Sequence, residues 1–359
     1  MRYVLMNPGP VNTAEEVRDA LGGPDQCHRE PEFAELMDRI RSRVTEICGG
    51  GPEHTSVLLT GSGTAALEAA IASAVPASGG VLVVDNGHYG ERLHEIARVH
   101  RLHTVRLELG WGVPVDAAAV ERALASDERL THVAVVHHET STGMLNDVRA
   151  VAAAARAHGR ATIVDAVSSV GAEKLNLRED GVDWLVGTAN KCLEGMPGLS
   201  FVCAAHESFA QGVPRTYYLD LRRHYLAQER GRAPAFTPSV PVAYAFDTAL
   251  GLALKEGVAA RGSRYRRLAG RLRRGLEELG LELLLPSGLR AASLTAVRLP
   301  PGLDYDCLHD GLKREGFVIY AAQEQLAAGW FRLSTMGAMT EADIDAFLAA
   351  LARLLRRPR

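Results

Sequence analysis

Through the first two-thirds of the chain, short apolar and β-branched runs take turns with segments whose apolar positions recur at helical spacing. Residues 55–60 (TSVLLT) precede 64–75 (TAALEAAIASAV), and 80–86 (GVLVVDN) precede 90–101 (GERLHEIARVHR). The pattern repeats as 103–109 (HTVRLEL) then 115–126, 131–139 (THVAVVHHE) then 148–159, followed by 161–167 (ATIVDAV) and 182–189 (VDWLVGTA). Strand and helix in strict alternation predict an α/β fold whose mostly parallel sheet is covered on both faces. After Pro241 the texture changes to one long helical stretch reaching Gly280, then strand-like runs at 293–300, 316–322 and 329–337, a helix over 307–315 and a closing helix from Glu341. This predicts a large domain over residues 1–249 and a smaller C-terminal α+β domain over 250–359, with the N-terminal segment a candidate to cross onto the smaller one.

Composition narrows the class. The 359 residues are 47% hydrophobic and 23% charged, with a formal net charge of -3. That balance suits a globular enzyme and gives no electrostatic reason to expect nucleic acid or an anionic membrane as partner. The basic run from Arg261 to Arg274 interleaves Arg with Leu at helical spacing and reads as a solvated helix face. Five cysteines (Cys27, Cys48, Cys192, Cys203, Cys307) form no CxxC pair, so neither a disulfide framework nor a metal site is expected. Asn7, Pro8 and Gly9 come too early for a secretory apolar segment, and the expected location is the cytoplasm.

Three features carry chemistry, and all fall where strands end. Gly61, Ser62, Gly63 and Thr64 join a strand to an Ala-rich helix, where free backbone N–H groups and the positive helix end attract an anion. The motif lacks the Lys of a P-loop and the third Gly of a dinucleotide fingerprint. Asp165 closes an apolar strand, either capping the next turn or holding a protonated ring nitrogen. Lys191 follows the strand-like run and a Thr-Ala-Asn turn, and precedes Gly195, Pro197 and Gly198; Lys174 sits among ordinary charged neighbours. Successive parallel strands would bring both loops to one sheet edge. An anion cradle, a strand-end carboxylate and a loop amine together form the set that pyridoxal phosphate requires.

The segments NPGP, GSGT, NGHYGER, HHETSTG, VDAVSS, TANKCLEGMPG, FTPS and FRLSTMG resemble, in this order, the fold-type I pyridoxal-phosphate enzymes of aminotransferase class V. The resemblance covers essentially the whole chain and implies a seven-stranded, mostly parallel sheet and a homodimer with shared active sites. It gives Lys191 the covalent bond to the cofactor and the proton transfers, and Asp165 the ring nitrogen. It gives the phosphate to Ser62, Gly63, Thr64 and Ser169, with Asn190 beside it, the ring face to Tyr89, and the phenolic oxygen to Thr140. It has Thr237 reach the neighbouring subunit's phosphate. Arg332 takes the substrate's anionic end, as a planar fork suits, with backbone N–H groups near Gly9.

Within the class the chain looks most like the enzymes that pass the amine of 2-aminoethylphosphonate to pyruvate, giving phosphonoacetaldehyde and L-alanine. The alanine:glyoxylate and serine:pyruvate enzymes come next. DQCHREPEF around Cys27 looks more like the carboxylate-handling enzymes, whereas ANKCLEGMPGLSFV and GFVIY lean toward the phosphonate enzymes. The alternatives are therefore alanine or serine as donor, or another phosphonate amine. His137 and His138 read as orienting or buried partners rather than acid/base groups. Cys192 reads as a packed small hydrophobe rather than the mobile thiol of a desulfurase. A ligand-binding regulator on the same fold would carry a nucleic-acid-binding module, and no such extension precedes Pro8.

Overall fold

The structure, a computed structural model, describes residues 3–356. Its centre is a seven-stranded sheet, whose strands are numbered here in chain order: β1 (His54–Thr60), β2 (Gly80–Asp85), β3 (His103–Glu108), β4 (Leu130–Val136), β5 (Ala161–Asp165), β6 (Trp184–Thr188) and β7 (Leu199–Ala205). Their spatial order is β1-β7-β6-β5-β4-β2-β3. Only β7 runs antiparallel to its neighbours, β1 and β6. The alternating pattern predicted the other six. The seventh escaped because β6 and β7 are joined by the short loop 189–198 rather than a crossover helix, and a short return can only produce an antiparallel pair.

Strands β2, β6 and most of β7 are buried along their whole length, as a sheet covered on both faces demands. One face packs under Pro31–Ile47, Ala117–Ser126, Val148–Ala157 and α3 (Val240–Glu256); the other packs under α1 (Gly63–Ala74) and α2 (His88–Val99). Each fully buried Val, Leu or Phe contributes on the order of 1.5–3 kcal/mol relative to exposure.

The stretch predicted as one helix from 241 to 280 is two, α3 and α4 (Val258–Glu278), because Gly257 adopts φ 83° between them. On α4 the basic run is not uniformly solvated. Arg261 is buried, with Nε donating to Glu256 at 2.7 Å, and Arg264 donates to both Glu194 and Glu256, while Arg267 and Arg271 face outward and pair with Glu341. After α4 come an antiparallel three-stranded sheet in the order Leu294–Arg298, Trp330–Ser334, Tyr320–Ala321, and the helices Tyr305–Arg314 and Glu341–Leu355. The run 316–322 is split because Phe317–Val318 pairs instead with Val4–Leu5 from the N-terminus, in parallel. Met6 accordingly packs among Leu268, Leu272, Phe331 and Phe347, and the following Pro8 and Gly9 lead back toward the central sheet.

Candidate active site

Asp165 is the last residue of β5, level with Val136 of β4 and Val186 of β6. Its side chain is 4% exposed, and Oδ1 accepts from the Val167 N–H at 2.9 Å. Burial pushes its carboxyl up to about 6, against the pull of that N–H and of Arg92 and Lys191. Lys191 lies three residues beyond the end of β6, in a turn closed by Glu194 N–H to Lys191 C=O at 2.9 Å and Gly195 N–H to Ala189 C=O at 2.8 Å. This turn answers the sequence's shaped loop: Gly198 at φ 127° and Glu194 at φ 62° reverse the chain into β7, and the amine points back across the sheet edge.

Lys191 is the one lysine of four that is not exposed. Its Nζ donates to the Pro8 carbonyl. Enclosure lowers the ammonium to about 8, helped by the positive charges of Arg332 and Arg92 and opposed by Asp165 and Cys192. Gly9 lies directly against it at φ 122°, where a Cβ would sit 2.7 Å from Nζ. Only glycine meets both demands.

Beside this pair, α1 begins at Gly63, with Ser62 extended before it and making no side-chain cap. A Cβ on Gly63 would lie 2.8 Å from Val167, so the helix start presses onto the turn after Asp165. Thr64 Oγ1 accepts from Arg92 at 3.2 Å, and the Arg92 guanidinium lies 4.6 Å from the centre of the Tyr89 ring. The cradle therefore offers helix N–H groups, hydroxyls and a nearby cation.

Thr140 is buried, and its carbonyl accepts from Arg332 Nη1 at 3.1 Å. Arg332, 4% exposed, also donates to Gln323 Oε1 at 2.9 Å and through Nε to Ala321 C=O at 3.0 Å, so its plane is fixed. Tyr89 is half-buried beside it. Ser169 is buried at the turn after Asp165, with Oγ donating to Ala166 C=O. Asn190 accepts from Thr188 Oγ1 at 2.9 Å. Thr237 stands apart: it is exposed on a loop where Ser239 N–H donates to Thr60 Oγ1, at the end of β1.

His137 and His138 are buried, and desolvation lowers them to about 4 and about 3. His138 Nδ1 lies 3.0 Å from the Ser168 carbonyl. Cys192 is buried among Val11, Ala172, Tyr265, Ala292 and Met336, and burial pushes its thiol up to about 12, which leaves no thiolate at neutral pH. Three groups at the site had drawn no role from the sequence: the Pro8 carbonyl, Arg92 and Glu139. The last two lie inside NGHYGER and HHETSTG, so the segments were visible although the contacts were not.

A family profile described as aminotransferase class-V matches residues 13–347. The 2-aminoethylphosphonate--pyruvate transaminase of Syntrophobacter fumaroxidans is 37% identical, aligned over 99% of this chain and 97% of its own. A protein of the same name from Vibrio vulnificus is 36% identical, over 98% of each. Among solved structures, an alanine--glyoxylate aminotransferase from Nostoc sp. superimposes with TM-score 0.93 at 28% identity, covering 99% of this chain and 96% of that one. A pyridoxamine-pyruvate aminotransferase from Mesorhizobium loti gives 0.92 at 29%, covering 99% and 92%. With this fold, this order of motifs and a match over nearly its whole length, the chain belongs to the class-V aminotransferases.

Proposed function

We propose that this aminotransferase uses pyridoxal phosphate to move the amino group of 2-aminoethylphosphonate to pyruvate, yielding phosphonoacetaldehyde and L-alanine. The observation that carries the reading is the meeting of an enclosed amine, Lys191, and a buried carboxylate, Asp165, at the ends of adjacent strands. The residues fit the cofactor: a glycine-tight helix start for the phosphate, a carboxylate for the ring nitrogen, an amine of lowered basicity for the aldehyde. Pyridoxal phosphate supplies a carbonyl that bonds amines and a cationic ring that accepts electrons from the substrate carbon.

In this reading Lys191 Nζ would hold the cofactor through its amine and, once free, would accept and return the proton at the substrate carbon. An amine that is about half neutral at pH 8 can both attack and accept a proton. Asp165 keeps the ring nitrogen protonated, because a buried carboxylate is stabilised by a facing cation. Ser62, Gly63, Thr64, Ser169 and Asn190 hold the phosphate, Tyr89 covers the ring, and Thr140 stands beside the phenolic oxygen. Arg332, already fixed in its plane, meets the substrate's anionic end with the backbone near Gly9.

The reading includes a homodimer, in which the exposed Thr237 reaches the second subunit's phosphate, and a division of the chain near residues 249 and 250. It also includes a cytoplasmic setting, supported by five unpaired cysteines. Among the described residues no helix is long and apolar enough to cross a membrane. Single-turnover mixing of the pyridoxal form with 2-aminoethylphosphonate tests the donor: the visible absorbance should decay as phosphonoacetaldehyde appears. Faster decay with alanine or serine would transfer the assignment to a carboxylate donor and leave the transaminase intact.

A further inference from the structure

Glu139 is the most enclosed carboxylate beside the site and has no part in the chemistry just described. It is fully buried at the end of the His138–Glu139 strand, which pairs with Met144–Leu145. Four donors converge on it. Oε2 accepts from the N–H groups of Tyr89 at 3.0 Å and Gly90 at 3.3 Å, in the first turn of α2. Oε1 accepts from the Ser141 N–H at 3.0 Å and from its hydroxyl at 2.6 Å. The Ser141 Oγ in turn accepts from the His88 N–H at 3.2 Å, so a second strut joins the same two segments. Gly87 lets the chain pass over the carboxylate, since a Cβ there would lie 2.4 Å from Glu139 Cγ.

These contacts exceed what a helix cap needs. Unpaired N–H groups at a helix start attract a carboxylate, but a local Asp or Ser ordinarily serves. Here the carboxylate comes from 50 residues away. It grips the backbone of Tyr89, whose ring carries the Arg92 guanidinium and lies beside Arg332. The next residue along, Thr140, accepts from Arg332 through its carbonyl. The Thr140 carbonyl that holds Arg332 and the Tyr89 side chain beside it are therefore both anchored on one buried carboxylate.

We propose that Glu139 is a positioning residue: by tying the start of α2 to the 139–141 turn, it sets the Tyr89 ring against the cofactor and the Arg332 fork against the substrate's anionic end. The proposal rests on the transaminase reading above. Glu139→Gln keeps the volume and replaces one acceptor oxygen with an NH2 group, which faces N–H donors it cannot satisfy. Asp183→Asn is the control. Asp183 likewise accepts from a backbone N–H and a hydroxyl, those of Thr162 at 2.7 and 3.0 Å, but at the amino ends of β5 and β6, away from the site.

Both variants should lower Tm, the buried Glu139→Gln by a few degrees and the exposed Asp183→Asn by less, since each weakens carboxylate hydrogen bonds to the backbone. Glu139→Gln alone should raise KM for pyruvate roughly tenfold, with a smaller change in kcat, because Arg332 is misplaced rather than removed. It should also weaken the visible circular dichroism per bound cofactor, which reports how the ring is held. Unchanged KM and dichroism in Glu139→Gln, with a lowered Tm, would leave Glu139 a structural residue and overturn the proposal. Should Glu139→Gln fail to fold, Ser141→Ala removes the hydroxyl struts only and should shift KM and dichroism in the same direction by a smaller factor; no shift there overturns the proposal as well. A wild-type protein without the visible band would instead defeat the transaminase reading itself.

Discussion

The lowered basicity of Lys191 has a kinetic signature in the protein stripped of its cofactor. Only a neutral amine attacks an aldehyde. With the ammonium brought from 10.5 to about 8, the neutral fraction at pH 7 is about 9%, against about 0.03% for an unperturbed lysine, a ratio of about 300 or ~3.4 kcal/mol. Desolvation is the first cause, followed among the lowering influences by Arg332 and Arg92. Stopped-flow mixing of apoenzyme with saturating pyridoxal phosphate isolates bond formation from binding, and the growth of visible absorbance gives a first-order rate constant. That constant should rise about tenfold per pH unit from pH 6 to 7.5 and level off above about 8.5, following the neutral fraction. A rise that continues unbroken to pH 10 would mean an ordinary, solvated lysine. A flat profile would mean that amine protonation does not govern the step.

Asp165→Asn should still bind pyridoxal phosphate yet slow the half-reaction at least about a hundredfold, since an amide cannot keep the ring nitrogen protonated; near-normal single-turnover rates would reduce Asp165 to a turn residue. Arg332→Lys keeps the charge but loses the fork, and kcat/KM should fall roughly ten- to several-hundredfold, ~1.4 to 3.5 kcal/mol, for donor and keto acid alike. Gly9→Ala places a methyl against Lys191 Nζ at a φ that alanine rarely adopts, so cofactor bonding should slow in the stopped-flow assay with little change in the far-ultraviolet dichroism. The apoenzyme's Tm should fall in acid. Desolvation brings His132, buried in β4, with His137 and His138 down to about 4, 4 and 3 from 6.5, so the stability from keeping them neutral is present above pH 6.5 and lost as pH falls toward 4; removing His138 as Asn should flatten that fall.

The sequence revealed most where local chemistry and element boundaries coincide. Six parallel strands were legible because each is a continuous apolar run flanked by helical spacing, and Asp165 and Lys191 because a charged residue terminating such a run is conspicuous. Strand β7 was not, since the alternation rule expects a helix between strands and the 189–198 loop supplies none. The Gly257 break was hidden inside an unbroken helical pattern, and only the backbone angle exposes it. Arg261 looked solvated because its partner Glu256 lies beyond that break, at the end of α3. Glu139, Arg92 and the Pro8 carbonyl acquire their roles from segments 28 to 183 residues away, contacts that spacing along the chain does not encode.

The most direct test of the account is to find the lysine that bears the cofactor. The chain has four, Lys174, Lys191, Lys255 and Lys313, of which all but Lys191 are exposed. Reduction of the pyridoxal form with borohydride makes the bond permanent, and mass spectrometry of the digested protein then locates the added group. The account predicts one pyridoxyl phosphate per chain, on the peptide containing Lys191. Its appearance on one of the three surface lysines, or on none, would contradict the assignment of this site.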